Sequence, residues 1–196
     1  MKFTKLEKLL PFGYILLIAL GIIKESVFYY QLGINILSYS NIIDVLIGPI
    51  SDLTAHPIIL ISVLLYILCS YYWFMYLGKN PNHKLAYKYL KLKPNSNLLS
   101  SEEFKIHVAN KFLRFIIIGI MSFFLGIGLG NGYLTAQKVR NQTVDYNKNI
   151  TFLSGESKKI FLIGLNSSHY FYVEKGNNNI QISPSNAIKS IEFQEN

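Results

Sequence analysis

FIIIGIMSFFLGIGLGNGYL, residues 115–134, contains no charged side chain. At about 1.5 Å of rise per residue, a helix of this length matches a hydrocarbon core roughly 30 Å thick. Basic residues flank it on both sides, with Lys111 and Arg114 before it and Lys138 and Arg140 after it. The chain is largely apolar before this stretch and polar, Asn-rich and strand-like after it. We therefore predict that it is the last membrane span.

The composition favours a membrane protein over a soluble one. Of the 196 residues, 51% are hydrophobic and 15% are charged, whereas about a quarter of the residues in soluble domains are charged. The net charge of +8 is compatible with nucleic-acid binding, but the Lys and Arg residues cluster beside the apolar blocks, as in membrane proteins. We therefore expect membrane lipids, and no nucleic-acid polymer, as partners. The abundance of Asn, Lys, Ile and Tyr indicates an AT-rich, bacterial genome.

Two further spans precede the last one. Residues 9–30 form an uncleaved first span, because no polar region precedes the small-x-small pattern that a signal peptidase would need. Residues 57–77 form the second, which begins with a proline and ends in an aromatic belt. Lys24 and Glu25 are expected near the outer interface without pairing, since adjacent helical residues point about 100° apart. An intramembrane charge pair on an ion path is the functional alternative.

A short amphipathic helix is predicted at residues 41–53, between the first two spans. Apolar residues recur there at steps of three and four, which suits a helix in the membrane interface. Ser40 or Asn41 would cap it, and Gly48-Pro49 predicts a kinked or two-piece helix. The apolar stripe comprises Ile43, Leu46, Ile47, Ile50 and Leu53.

Residues 78–114 are predicted to form a basic cytoplasmic loop. A short helix ends there at Pro94-Asn95, and a capping box of Ser100 and Glu103 starts a second helix that continues into the last span. Leu85, Tyr89 and Leu92 line one face of the short helix. The basic residues expected to contact anionic lipid headgroups are Lys79, Lys84, Lys88, Lys91, Lys93, Lys111 and Arg114.

After a polar tether at 135–148, residues 149–196 alternate with a period of two and predict a small all-β domain. Residues 183–188 resemble the 3₁₀ turn before the final strand of SH3-type barrels, which implies an SH3-like or partly open barrel. Because so small a barrel has little core, we expect it to lean on the membrane or on a copy of itself. The predicted strands are Ile150–Leu153, Lys159–Leu165, Tyr170–Glu174, Ile180–Ser183 and Ile188–Phe193.

Charge near the spans predicts the orientation. The amino end and the basic loop together carry eleven Lys and Arg residues, whereas residues 31–56 carry none. Because positive charge is retained in the cytoplasm, three spans place the amino terminus and the basic loop inside a bacterial plasma (inner) membrane. The C-terminal β-domain is then external.

The third span carries four predicted helix-packing glycines. They form two overlapping Gly-xxx-Gly pairs, which let another helix approach closely. A dinucleotide-binding turn is excluded, since that motif needs a preceding strand and a soluble βαβ unit. The partner is either the second span of the same chain or a second copy, and the latter would make a homo-oligomer. The glycines are Gly126, Gly128, Gly130 and Gly132.

No residues are predicted to be catalytic, to bind a cofactor or to ligate a metal. The four histidines lack metal-ligand spacing, no serine lies in a nucleophile elbow, and Cys69 is the single cysteine. We therefore expect a non-enzymatic integral membrane protein whose C-terminal β-domain binds, senses or mediates assembly. One alternative is a bacterial anti-phage defence-type membrane effector with a nucleotide-sensing β-barrel, which requires a cytoplasmic β-domain. The other is a small transporter or channel subunit, which needs polar residues inside the spans.

Overall fold

The computed structural model describes residues 10–81, 83–90, 101–177 and 179–193. Within these residues, five α-helices precede five strands. A 3₁₀ turn at Ile36–Ser38 separates the first two helices. The helices are α1 (Leu10–Tyr30), α2 (Ile42–Ala55), α3 (Pro57–Lys79), α4 (Lys84–Leu90) and α5 (Ser101–Arg140).

Three of the helices are long and apolar enough to cross a membrane, which confirms the three predicted candidate spans by length and composition. α1 contains a 20-residue apolar segment, Pro11–Tyr30, and α3 one of 23 residues. The third segment lies in α5. Few residues of these segments are buried inside the protein. Such extended apolar surface is stable in hydrocarbon and unstable in water, so the protein is associated with a membrane.

α2 is too short to span. Its 14 residues rise only about 21 Å at 1.5 Å per residue. The helix is one piece across Pro49, which contradicts the two-piece form predicted from Gly48-Pro49 and leaves the kinked form as the prediction. The ring of Pro49 is buried together with Val45, and this packing offsets the backbone hydrogen bond that proline removes. Ile43 and Ile47 are exposed on the other side of the helix, as expected for a face that meets lipid.

α5 is 40 residues long and extends beyond the last span at both ends. The helix predicted to lead into the span is therefore present. The tether expected at 135–148 begins as helix, because residues 135–140 continue α5 and bury Ala136 and Val139. The residues that carry the predicted end of α4 and the predicted capping serine lie outside the described part of the chain: Leu92, Pro94, Asn95 and Ser100.

The strands form one antiparallel sheet in the order β4-β3-β2-β1-β5, and the sheet does not close. A 3₁₀ turn, Ser185–Ala187, precedes β5 where the SH3-type pattern predicts it. Each strand begins and ends within about two residues of its predicted run, as periodic patterns allow. The strands are β1 (Lys148–Phe152), β2 (Ser157–Leu165), β3 (His169–Glu174), β4 (Ile180–Pro184) and β5 (Ile188–Phe193).

β3 is buried on both faces. Phe171, Tyr172 and Val173 follow one another and are each at most 2% exposed. Because side chains alternate along a strand, Phe171 and Val173 lie on one face and Tyr172 on the other. Tyr172 packs with Ile150 and Ile160 in the core of the sheet itself. The face with Phe171 and Val173 is covered by helix ends and loops of the same chain, which supply the support expected from the membrane or a copy.

Lys158 ties β2 to its neighbours by charge. Its Nζ lies 3.2 Å from Oε2 of Glu174 and 3.3 Å from Oε1 of Glu156. Hydrogen bonds to Glu174 and then Glu156 raise the pKa of Lys158 above its ordinary value of 10.5. The pairing therefore stabilises the fold at pH values below 10.5, and this stabilisation is lost as the pH rises through the raised pKa of Lys158.

The chain divides into two compact units. The sheet unit comprises Met1–Ile50 and Phe124–Asn196, and the hairpin unit comprises Ser51–Phe123. The sheet thus shares a unit with α1 and the second half of α5, although the composition suggests a separate domain at 149–196. In the hairpin unit, α3 and α4 bury Leu77 and Leu90 together, and the first half of α5 packs against them.

A candidate ligand cleft beside the sheet

Two of the four predicted packing glycines bring α1 against α5 in the sheet unit. A Cβ atom at Gly128 would lie 2.6 Å from the carbonyl oxygen of Lys24. One at Gly132 would lie 2.8 Å from the carbonyl oxygen of Phe28. Positions four residues apart therefore meet in the same order on both helices, so α1 and this part of α5 run parallel. Both helices end at the sheet.

The other two glycines, Gly126 and Gly130, face open space. These four glycines thus divide by helix face, as their spacing of two residues requires on a helix with 3.6 residues per turn. The helix at Gly128 and Gly132 is α1, which is neither the second span nor a second copy, the two partners expected from the sequence.

The end of α1 enters the sheet through Tyr29. This residue is 5% exposed, and its ring lies 5.0 Å from the ring of Phe171. The Tyr29 hydroxyl occupies the space that a Cβ at Gly164 would fill. β2 carries a bulge between Leu162 and Gly164, and a bulge of this kind bends the strand locally. The absence of a side chain at Gly164 therefore allows Tyr29, at the end of the first span, to pack against the sheet.

The loop after α1 is fastened to the sheet by a set of hydrogen bonds that we call the clasp, formed by residues 39–44 and 166–169. Its first half centres on Asp44. Oδ1 of Asp44 accepts a bond from the Ser167 N–H at 3.1 Å, and Oδ2 accepts one from the Ser167 hydroxyl at 3.0 Å. Asn41 and Asp44 also cap the start of α2 reciprocally, each side chain accepting from the other's N–H. Asp44 thus joins the helix cap to the sheet.

The second half of the clasp centres on Asn166. Its Nδ2 donates to the carbonyl oxygen of Tyr39 at 3.1 Å and to the Ser40 hydroxyl at 3.2 Å. His169 Nδ1 lies 3.2 Å from the same Tyr39 oxygen. Because a carbonyl oxygen only accepts, this nitrogen carries the proton. The Tyr39 ring packs edge-on against His169, so polar and aromatic contacts hold the loop together.

A cleft lies where the loop after α1, the end of α5 and β4 meet. Its volume is about 660 Å³, and a second cavity of about 490 Å³ shares Gln31, Ala136 and Arg140 with it. We call these two adjoining cavities the Arg140 cleft. Gln31 is held in its wall because its Nε2 donates to the Leu129 carbonyl oxygen at 3.0 Å. Apolar walls come from Leu32, Ile34, Val139, Ile180 and Ile182.

Arg140 supplies the charge of this cleft. It lies in the last turn of α5 and is exposed. Within the residues that the structure describes, no carboxylate forms an ion pair with it. A guanidinium group binds carboxylate and phosphate groups through paired hydrogen bonds, and Asn179 adds an amide to the same wall. The arrangement can therefore bind an anionic molecule, and among the described lining residues no nucleophile and base lie in contact.

Lys24 and Glu25 pair, contrary to expectation. Lys24 Nζ lies 2.9 Å from Glu25 Oε1, and both side chains are mostly buried. Glu25 lies beside α2, since a Cβ at Gly48 would be in ordinary contact with Oε1 at 3.6 Å. The long side chains bend toward each other because pairing lowers the cost of keeping both charges in an apolar helix.

The predicted headgroup-contacting residues lie at one end of the hairpin unit where the structure describes them. Lys79, Lys84, Lys88 and Arg114 are exposed, and Lys111 is half-buried. Lys91 and Lys93 lie outside the described residues.

Two of the polar span residues that a transporter would need are bonded within their own helices. The Ser62 hydroxyl donates to the Ile58 carbonyl oxygen, and the Ser122 hydroxyl donates to that of Ile118. Such bonds satisfy a serine inside an apolar helix, so these two residues need no pathway to explain them.

Sequence reasoning missed the Arg140 cleft and the clasp. In the sequence, Arg140 stands out only as a basic residue that flanks the last span. Both features join segments about a hundred residues apart, and no local pattern reports such contacts. The one usable signal was the polar, lysine-free loop beside an Asn- and Ser-rich turn.

The comparisons with known proteins add no relative. No family model matches the chain, and neither curated proteins nor solved structures give a significant match.

Proposed function

We propose that this chain is a non-enzymatic integral membrane protein whose C-terminal β-domain senses an anionic ligand at the membrane surface. The observation that carries the proposal is the position of Arg140, which lines both cavities between the spans and the sheet. A ligand held there contacts α5, the loop after α1 and β4 together. Its binding free energy therefore depends on how the sheet sits on the spans, which is what a sensor requires.

The clasp and the packing of α1 on α5 support the same proposal. They hold the sheet against the two helix ends, so a change at the cleft is transmitted to the spans through these contacts. The β-domain in this proposal is an SH3-like, partly open barrel, with β5 returning beside β1 and a 3₁₀ turn before it. It lies on the external side of a bacterial plasma membrane, as the positive charges predict.

The test is ligand-dependent thermal stability of the full chain in an uncharged detergent. Sodium phosphate and sodium citrate are titrated against sodium chloride at matched ionic strength. A ligand that binds only the folded protein raises its melting temperature by mass action, so we expect a rise with at least one of the two anions. Arg140→Gln abolishes that rise, whereas Lys138→Gln, the same charge change two residues away, retains it. Equal responses in wild type and Arg140→Gln would reject the cleft as the ligand site.

The defence-effector alternative keeps one specific point of support, since the phosphate groups of a nucleotide also suit a guanidinium in a partly apolar cleft. That function needs the cleft in the cytoplasm. The two proposals therefore differ in the side of the membrane on which residue 196 lies.

A further inference from the structure

We propose that the hairpin unit holds one anionic phospholipid in a groove between α3 and the first half of α5. The groove has a volume of about 620 Å³. Its floor and walls are aromatic and aliphatic side chains, including Phe74, Phe104, Val108 and Phe112. Lys79 and Lys105 complete its lining, which contains no carboxylate.

The groove lies at the level where a membrane changes from hydrocarbon to headgroups. Lys79 is the last residue of the α3 span. Tyr72 and Tyr76, two exposed residues of the aromatic belt, lie within about two turns of it. Aromatic belts mark the interface, so the apolar walls reach into hydrocarbon while the lysines stand at headgroup height.

Two antiparallel contacts fix this geometry. The rings of Phe74 and Phe112 lie 5.7 Å apart, and a Cβ at Gly78 would lie 3.6 Å from Val108. The absence of a side chain at Gly78 leaves the space beside Val108 open. The groove is thus formed by packed residues and does not depend on a loop.

The charge at the groove selects the occupant. Neither Lys79 nor Lys105 forms an ion pair with any residue that the structure describes. Two cations without a described ion pair beside an apolar slot match a phosphodiester headgroup that carries a net negative charge above an acyl chain. A zwitterionic lipid brings its own cation and gains less. Lys105 is absent from the headgroup-contacting set predicted from the sequence, and its role here follows from the groove alone.

The experiment counts lipid molecules bound to the full chain by native mass spectrometry in an uncharged detergent. Phosphatidylglycerol and phosphatidylcholine with identical acyl chains are titrated separately. We expect one phosphatidylglycerol to remain bound where phosphatidylcholine does not. The double variant Lys79→Gln/Lys105→Gln weakens that binding about 10- to 30-fold, since each lysine near an anionic surface contributes about fivefold. The matched control Lys84→Gln/Lys88→Gln removes the same charge from α4, and we expect it to bind phosphatidylglycerol as the wild type does.

A second variant tests the acyl chain. Ala109→Phe places a ring in the groove and is expected to reduce phosphatidylglycerol binding while both lysines remain. Equal retention of the two lipids, or equal loss in both double variants, would overturn the proposal. So would displacement of the lipid by millimolar inorganic phosphate, which would show that the lysines bind a free anion. Because Arg140 lies in the other unit, Arg140→Gln leaves this binding unchanged, and the two proposals fail separately.

Discussion

Glycines 128 and 132 show how single residues set the contact between two spans. At each position the backbone of α1 occupies the volume of a Cβ atom, so the close approach exists only because no side chain is present. Gly126 and Gly130 are also glycines of α5, but they face open space. The four residues therefore provide a matched set for mutation.

We expect Gly128→Ala to lower the free energy of unfolding by about 1–3 kcal/mol, the usual cost of overpacking. Gly126→Ala is expected to leave it unchanged or raise it, because alanine favours a helix over glycine. Thermal unfolding of both variants in the same detergent provides the measurement. Equal effects of the two substitutions would contradict the packing of α1 on this face.

Asp44 is the second residue whose replacement has a defined effect. Its carboxylate accepts three hydrogen bonds, two from Ser167 and one from the Asn41 N–H. Hydrogen bonds to a charged group contribute about 1.5–3 kcal/mol each where they are protected from water. Because Asp44 is only half-buried, Asp44→Ala should cost about 1–2 kcal/mol in total.

Hydrogen exchange locates this effect. In Asp44→Ala, we expect the amides of residues 166–169 to exchange faster, while the amides of the turn between β1 and β2, around Gly155, keep their wild-type rates. Asp145→Ala, which removes an exposed carboxylate outside the clasp, is the control. Unchanged exchange at 166–169 in Asp44→Ala would show that the clasp does not hold the sheet.

At the scale of elements, α2 separates two kinds of apolar surface. Val45 and Pro49 are buried against the protein, and Val45 meets α1 at Gly21. Ile43, Ile47 and Ile50 remain exposed on the other side. A water-soluble helix carries a single apolar stripe, so we expect the second stripe of α2 to face lipid in the membrane interface.

Depth-dependent labelling tests the placement of α2. In a Cys69→Ser background, an environment-sensitive dye is attached either to Ile47→Cys, on the exposed face of α2, or to Ser38→Cys, on the 3₁₀ turn. In liposomes we expect blue-shifted emission and quenching by brominated lipid at position 47, with little of either at position 38. Equal quenching at both positions would place α2 in water.

The elements themselves followed from sequence periodicity because hydrocarbon length and strand alternation are local properties. The three spans and five strands depend on runs of at most a few tens of residues. The contacts that join these elements, in contrast, depend on residues that are far apart in the sequence. Tyr29 meets Gly164, and Asp44 meets Ser167, across more than 120 residues, and neither pair carries a motif. The continuation of α5 to Arg140 was not predicted because Thr135–Arg140 is polar on its exposed side, although Ala136 and Val139 are buried.

The whole molecule can be tested for its orientation. Because the Lys and Arg residues cluster at the amino end and in residues 78–114, we expect residue 196 on the external side. Alkaline phosphatase fused after Asn196 should be active in bacterial cells, and a fluorescent protein fused there should remain dark. The reverse pattern would place the sheet in the cytoplasm and favour the defence-effector function. The same two proteins fused after Lys91, in the predicted cytoplasmic loop, provide the control, with an inactive phosphatase and a fluorescent reporter as the expected result.

The double burial of β3 limits how this protein can be divided in the laboratory. A recombinant fragment that starts at Asn149 leaves behind Tyr29, Ile36 and Val139, and it presents Phe171 and Val173 to water. Such a fragment would aggregate. Crystallisation or NMR work on the C-terminal half in isolation therefore requires solubilising substitutions at those two positions, and any ligand screen run on the fragment would miss the cleft altogether.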